Sequence, residues 1–269
     1  MIKKIILFVF FLFAGYACIA QAITPYDDHF LQELAHYQVK DLSQFIDRFN
    51  FQEHLSFRSD TSPNRYKNLI SLLNLKDTAL RRNPNAMAFI KYVCDDKNKV
   101  KLSYKDKNWY AVAHCVFLYR NKEKIVNIIL KPETSGNNGY NWVIDAVQSD
   151  LFTIPQNAKA ASLFINPMNH EVNFSELSKA LIKQKDISAY TSNGYKAEAL
   201  SAFLFYVRNG DIQFKQIKTV DFNFLQVAGW FFTVKDFFRV DYNSGWLIAS
   251  IKKMNEQEKD DFKKNHLIE

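Results

Sequence analysis

His114 sits within the alternating positions Tyr110, Val112, His114, Val116 and Leu118, and is the residue of this chain best suited by type and setting to move a proton. An imidazole on the apolar face of a strand can be tuned by burial to act as an acid or base near neutral pH. It would need a carboxylate to orient it, with Asp47 and Asp145 as candidates, and Tyr110 could polarise a carbonyl. The plainer reading is a core histidine hydrogen-bonded to the backbone. Both faces of this strand are apolar, so the sequence leaves open which way His114 looks.

Other chemistry-bearing residues are less complete. His170-Glu171 opens like a zinc-protease helix, but the fourth position on is Phe174, so the second ligand is missing. Pro167, Asn169 and Asn173 make that segment a turn entering a helix. In Asp27-Asp28-His29, Asp28 reads as a helix cap. No nucleophile elbow, phosphate loop, dinucleotide glycine fingerprint or calcium loop occurs, and neither cofactor nor metal is expected. Cys94 and Cys115 lie among apolar residues without ligand spacing, which reads as two free thiols or one bond within a sheet. Lys97, Lys99, Lys101, Lys105 and Lys107 cluster near one hairpin; they read as a solvated strand edge or as an attractor for an anionic surface or glycan.

The first 22 residues set the compartment. Lys3 and Lys4, the apolar stretch Ile5–Ala14 and the ending Ala20-Gln21-Ala22 have the three parts of a secretory signal peptide. Export to periplasm or medium is expected, which removes most nucleotide and nucleic-acid functions. Ala17-Cys18 also has the form of a lipidation site, although Gly15 stands where a branched aliphatic residue is usual. Removing 22 of the 269 residues leaves 247, enough for one large domain or two ordinary ones. The net charge of +7 falls to about +5 without Lys3 and Lys4. With 24 Phe and 13 Tyr against 7 Gly and 6 Pro, the composition suits wide sheets bearing flat side chains.

The elements follow from periodicity. Asp28–Asn50 is expected to be one amphipathic helix and Arg65–Leu75 a second. From Ala86 the period turns to two, giving strands at Met87–Cys94, Val100–Tyr104, Trp109–Tyr119, Ile125–Lys131 and Tyr140–Val147. Past Asp150 come a linker at Leu151–Ala161, a short strand at Ser162–Ile165, and helices at Asn173–Lys183, Asp186–Thr191 and Lys196–Arg208. Strands at Ile212–Ile217, Thr219–Gln226, Trp230–Phe238 and Gly245–Lys252 precede a surface helix over Asn255–His266. Trp142 and Trp246 each begin a Trp-apolar-Ile triplet 104 residues apart, consistent with duplication.

Helices followed by long strands, with Asn108-Trp109-Tyr110-Ala111-Val112-Ala113, Val126–Leu130 and Asn141-Trp142-Val143-Ile144, make residues 28–148 resemble a nuclear-transport-factor-2-like domain. The texture, including Phe45-Ile46-Asp47-Arg48-Phe49-Asn50, is also similar to exported Bacteroidetes-type proteins. The resemblance implies an α+β class with helices on strongly curved antiparallel sheets, and tandem domains at 23–150 and 151–269. It implies a cone whose enzyme members place an acid or base inside, the role His114 would take. Phe222, Phe224, Trp230, Phe231, Phe232, Phe237 and Phe238 read as a buried sheet face, some of them able to meet a partner. The leading expectation is a non-catalytic binding or assembly module whose two domains pack through their sheets. Its partner would be a protein, a small apolar ligand, or a second copy. The competing expectation is an isomerase, dehydratase or hydrolase-like enzyme using His114.

Overall fold

The computed structural model describes residues 28–56, 64–134, 140–152, 181–183 and 198–266. The signal segment, Cys18, Asp27, the His170-Glu171 turn, the 162–165 strand, the 186–191 helix and most of the 173–183 helix lie outside them. The class is α+β, with seven strands in a mixed sheet. Two compact units interleave along the chain: one runs to Ser103 and adds Phe232–Lys253, the other takes Tyr104–Phe231 and resumes at Met254. The expected boundary at residue 150 falls inside the second.

In the first unit, the expected helix over 28–50 is two helices, α1 (Asp28–Leu34) and α2 (Leu42–Phe49), around the short strand β1 (Gln38–Val39). The break has a local cause. Asp41 caps α2 by accepting from the Gln44 amide at 2.8 Å, while the Gln44 side chain accepts from Lys40 N at 2.7 Å. The freed backbone of β1 pairs in parallel with β7 (Ser244–Lys253), burying Val39 completely. Helices α3 (Arg65–Ser71), α4 (Thr78–Arg82) and α5 (Pro84–Cys94) follow, capped by Asn64, Asp77 and Asn83.

The expected strand Met87–Cys94 is therefore helical. Asn83-Pro84 is a helix start, and Ala86, Phe89, Ile90 and Val93 bury at three- and four-residue spacing. Nor is Val100–Tyr104 a strand; Val100 and Leu102 are buried, and Leu102 exchanges two hydrogen bonds with the Asn50 amide, at 2.7 and 2.9 Å. Three fully buried phenylalanines centre this unit's core: Phe232, from β6 (Trp230–Phe237), stacks on Phe49 at 5.9 Å and meets Phe89 at 5.3 Å.

In the second unit, β2 (Trp109–Tyr119), β3 (Lys122–Thr134), β4 (Tyr140–Gln148) and β5 (Ile212–Phe224) pair antiparallel in the order β5-β2-β3-β4. Arg120 and Asn121, both at positive φ, make the two-residue turn between β2 and β3. The two strands expected over 212–226 are one, with register shifts against β2 that absorb Lys215 and Lys218. One face of β2 carries Ala113, Cys115 and Phe117 under Phe203 of α6 (Ala199–Arg208) and Phe152. The other carries Tyr110 under Phe262 of α7 (Glu256–His266) and Met254. Asn209-Gly210 ends α6 as expected, with Gly210 at φ +74°.

Gly245 and Gly229 both hold positive φ, but only at Gly245 would a Cβ fall on a backbone atom, the Val39 carbonyl oxygen of the β1–β7 pair. In urea melts, Gly245→Ala is expected to lose about 3 kcal/mol or more. Gly229→Ala, with open space around it, should lose about 1 kcal/mol. Equal losses would remove the steric account of this pairing.

Candidate functional site

A pocket of about 420 Å³ in the second unit is lined by Lys105, Lys107, Asn108, Lys131, Pro132, Glu133, Thr134, Tyr140, Asp145 and Lys263. Three local devices place these groups. In the turn before β2, Asp106 accepts from the Asn108 amide at 2.7 Å, and Asn108 O accepts from Leu225 N at 2.9 Å. Along β4, a register shift inserts Asp145 between partners of Ile129 and Leu130, re-aiming its buried carboxylate. Lys131 Nζ meets that carboxylate at 2.5 Å and lies 3.9 Å from Glu133.

The third device is α7. Asn255 and Glu258 form a reciprocal capping box, at 2.9 and 2.7 Å. Lys259 is only 2% exposed, and its ammonium donates to Leu225 O at 2.9 Å, Val227 O at 2.8 Å and Glu256 at 2.9 Å. All three protons are used, which is what a buried ammonium requires. One turn on, Lys263 reaches the pocket and donates to Asn108 Oδ1 at 2.7 Å. Four lysines against two carboxylates leave the lining cationic.

On the sheet face opposite Lys131 and Glu133 lies a ring stack. Trp109 is buried and stacked on Phe224 at 5.4 Å; Trp142 meets its edge at 4.7 Å, and Tyr104 at 6.0 Å. Phe222 closes on Trp142 at 5.9 Å.

His114 takes neither backbone partner nor the expected carboxylates. Its Nδ1 faces Asn127 Oδ1 at 2.8 Å, from β3, and its Nε2 faces Asp221 Oδ2 at 3.2 Å, from β5. Both nitrogens donate in the imidazolium; in the neutral ring, Nε2–H donates to Asp221 and a turned Asn127 amide donates to Nδ1. The ring is 32% exposed and does not line the pocket. Tyr110, buried beneath Phe262, is four residues along the strand, about 13 Å away. Burial pushes its hydroxyl well above the ordinary range, keeping it protonated.

The other candidates go elsewhere. Asp145 belongs to the lysine pocket, paired with Lys131. Asp47 lies on α2 in the first unit, where its carbonyl accepts from Gln52 N at 2.7 Å. Cys94 and Cys115 are free thiols, and burial raises both. Among the described residues, no group of three or more His, Cys, Asp or Glu could hold a metal ion, and no helix is long and apolar enough to cross a membrane. Of the lysines flagged from sequence, Lys105 and Lys107 join the pocket; Lys131 and Lys263 were missed because strand and helix place them. Comparison with protein-family models, curated proteins and solved structures gave no match.

Lys259→Met would strand the Leu225 carbonyl, leave Val227 O with the Trp230 amide at 3.0 Å as its partner, and loosen α7, an expected loss of roughly 3 kcal/mol at neutral pH by urea denaturation. The Lys259 hydrogen bond holds the Glu256 carboxyl below its usual value. The stability this pair contributes is complete above the unfolded value of about 4.3 and fades as pH falls through the folded one. The variant's deficit should therefore narrow below about pH 4; a deficit constant with pH would assign it to packing alone.

Proposed function

We propose that the protein is an exported, non-catalytic binding module whose second unit takes anionic ligands at the lysine-lined pocket. The convergence of Lys105, Lys107, Lys131 and Lys263 on one cavity carries the reading. Those cations come from a turn, a strand and a helix, each held by its own hydrogen bonds, so the site is formed before the ligand arrives. Export rests on the charged, apolar and small-residue parts of 1–22. Mass spectrometry of the mature N-terminus tests it: a free residue near Gln21 or Ile23 supports signal cleavage, and an acylated Cys18 supports a lipoprotein instead. A nuclear-transport-factor-2-like character for the chain, in tandem copies, is part of this proposal. It is supported by the long antiparallel strands β2, β3 and β4 after a helical segment.

The competing reading, an isomerase, dehydratase or hydrolase-like enzyme centred on His114, has the Asp221 carboxylate in its favour. Against it stand a ring with both nitrogens engaged and a position outside the pocket lining.

Calorimetry with inorganic tripolyphosphate tests the binding reading. Lys105→Glu/Lys107→Glu should weaken binding by roughly tenfold or more at low salt, the difference shrinking as salt screens the charges. Unchanged affinity in the double variant would reject the pocket as the anion site.

A further inference from the structure

The loop between β6 and β7, residues 238–243, carries the two most exposed large apolar side chains among the described residues, Phe238 at 93% and Val240 at 90%. Scattered apolar residues are ordinary on a surface, but these two flank a single residue at the tip of one loop. That residue, Arg239, reaches back into the first unit. Its Nε donates to Asn243 O at 2.8 Å, Nη1 to Asn74 Oδ1 at 2.7 Å and Nη2 to Asn243 Oδ1 at 3.3 Å. Asn243, only 1% exposed, donates in turn to Ser71 O and Leu73 O, both at 2.7 Å. The guanidinium also lies 5.3 Å from the Phe237 ring centre and 5.8 Å from that of Tyr242. We propose that this tip is a wedge by which the protein docks on a phospholipid surface of no net charge. The inference is independent of the anion pocket, which belongs to the second unit.

The build of the loop favours such a contact. The bonds that shape it run through Arg239 and Asn243, not through the outward pair, so Phe238 and Val240 are presented on a stiff mount. Fixing the loop beforehand removes an ordering cost at docking. Phe237 and Tyr242, half-buried at its shoulders, stand at the level where rings meet lipid headgroups once the tip has entered. The charged residues of the loop and its approach, Lys235, Asp236, Arg239 and Asp241, balance to zero. No basic cluster directs the tip to an anionic bilayer, and an uncharged one lets the apolar pair enter without repulsion.

Area separates this partner from a protein. One phenylalanine and one valine offer roughly 300 Å² of apolar surface, well short of the ~1,000 Å² that a stable protein interface buries. Two copies meeting tip to tip would bury only about twice that, within the range of lattice contacts. A small convex tip needs a partner that supplies no matching socket. The acyl boundary of a bilayer closes around whatever apolar shape enters it.

The test is flotation with phosphatidylcholine vesicles, using the chain from Ile23 as signal cleavage would leave it, because the apolar stretch Ile5–Ala14 would enter a bilayer by itself. Wild type is compared with Phe238→Ser/Val240→Ser and with Phe238→Leu. The double variant is expected to bind about tenfold more weakly, and Phe238→Leu to stay within about threefold of wild type. Wild-type binding should change by less than about twofold between low and high salt. Urea midpoints should be equal in all three, since the substituted side chains are exposed. A wild type that does not float, or a double variant that floats as well as wild type, overturns the proposal. So does flotation that requires phosphatidylglycerol and is abolished by salt, which would assign it to the lysines. A lower urea midpoint in the double variant would place the pair in the fold instead. Dimerisation lost in the double variant, seen by light scattering without vesicle binding, would assign the tip to a second copy of this chain.

Discussion

Strand β2 is covered on both faces, by α6 on one side and by α7 with Met254 on the other, and this constraint decides where chemistry can be in the second unit. Where that cover desolvates a polar side chain, leaving it unanswered costs about 1–3 kcal/mol. His114 is answered in the plane of the sheet, by Asn127 on one neighbour and Asp221 on the other. Polar groups that are to meet a ligand are pushed to the strand ends. There the lysines gather, where β3 and β4 run out and the turn before β2 begins.

The same coverage explains why α7 is fixed by a buried cation. Its sequence is highly charged, so hydrophobic attraction alone holds it weakly; Phe262 is the large ring it lends to the core. The Lys259 ammonium ties it to the carbonyls of Leu225 and Val227, between β5 and β6. Removing one partner of such an arrangement is costly because the others remain desolvated. Lys263 is then delivered to Asn108 by helical spacing, one turn from its anchor.

Much of the strand layout was legible in the sequence because β2, β3, β4, β6 and β7 alternate over eight residues or more. The helix at Pro84–Cys94 was misread as a strand because Met87, Phe89 and Lys91 to Cys94 fit a period of two as readily as 3.6. Asn83-Pro84 was the signal that separates them. The β1 break in the first helix was hidden, since parallel pairing with Ser244 and Gly245 lies about two hundred residues away in sequence. Asp221 is about a hundred residues from His114 in sequence, and only strand order brings the two together. Lys105 and Lys107 were noticed as a local cluster, whereas Lys131 and Lys263 become neighbours through tertiary structure.

Strand β4 ends the order of the second unit's strands, and Tyr140, Trp142 and Ile144 leave about 40% of their surface exposed on it. An edge so rich in rings invites pairing with another chain. The inserted Asp145 opposes that: it breaks the ladder between Ala146 and Ile144, and its carboxylate points inward to Lys131. A strand added at this edge would have to match the irregular register and desolvate that ion pair. The bulge that guards the edge is therefore also what places Asp145 and Lys131 in the pocket, so one local irregularity both breaks the edge and sets the ion pair.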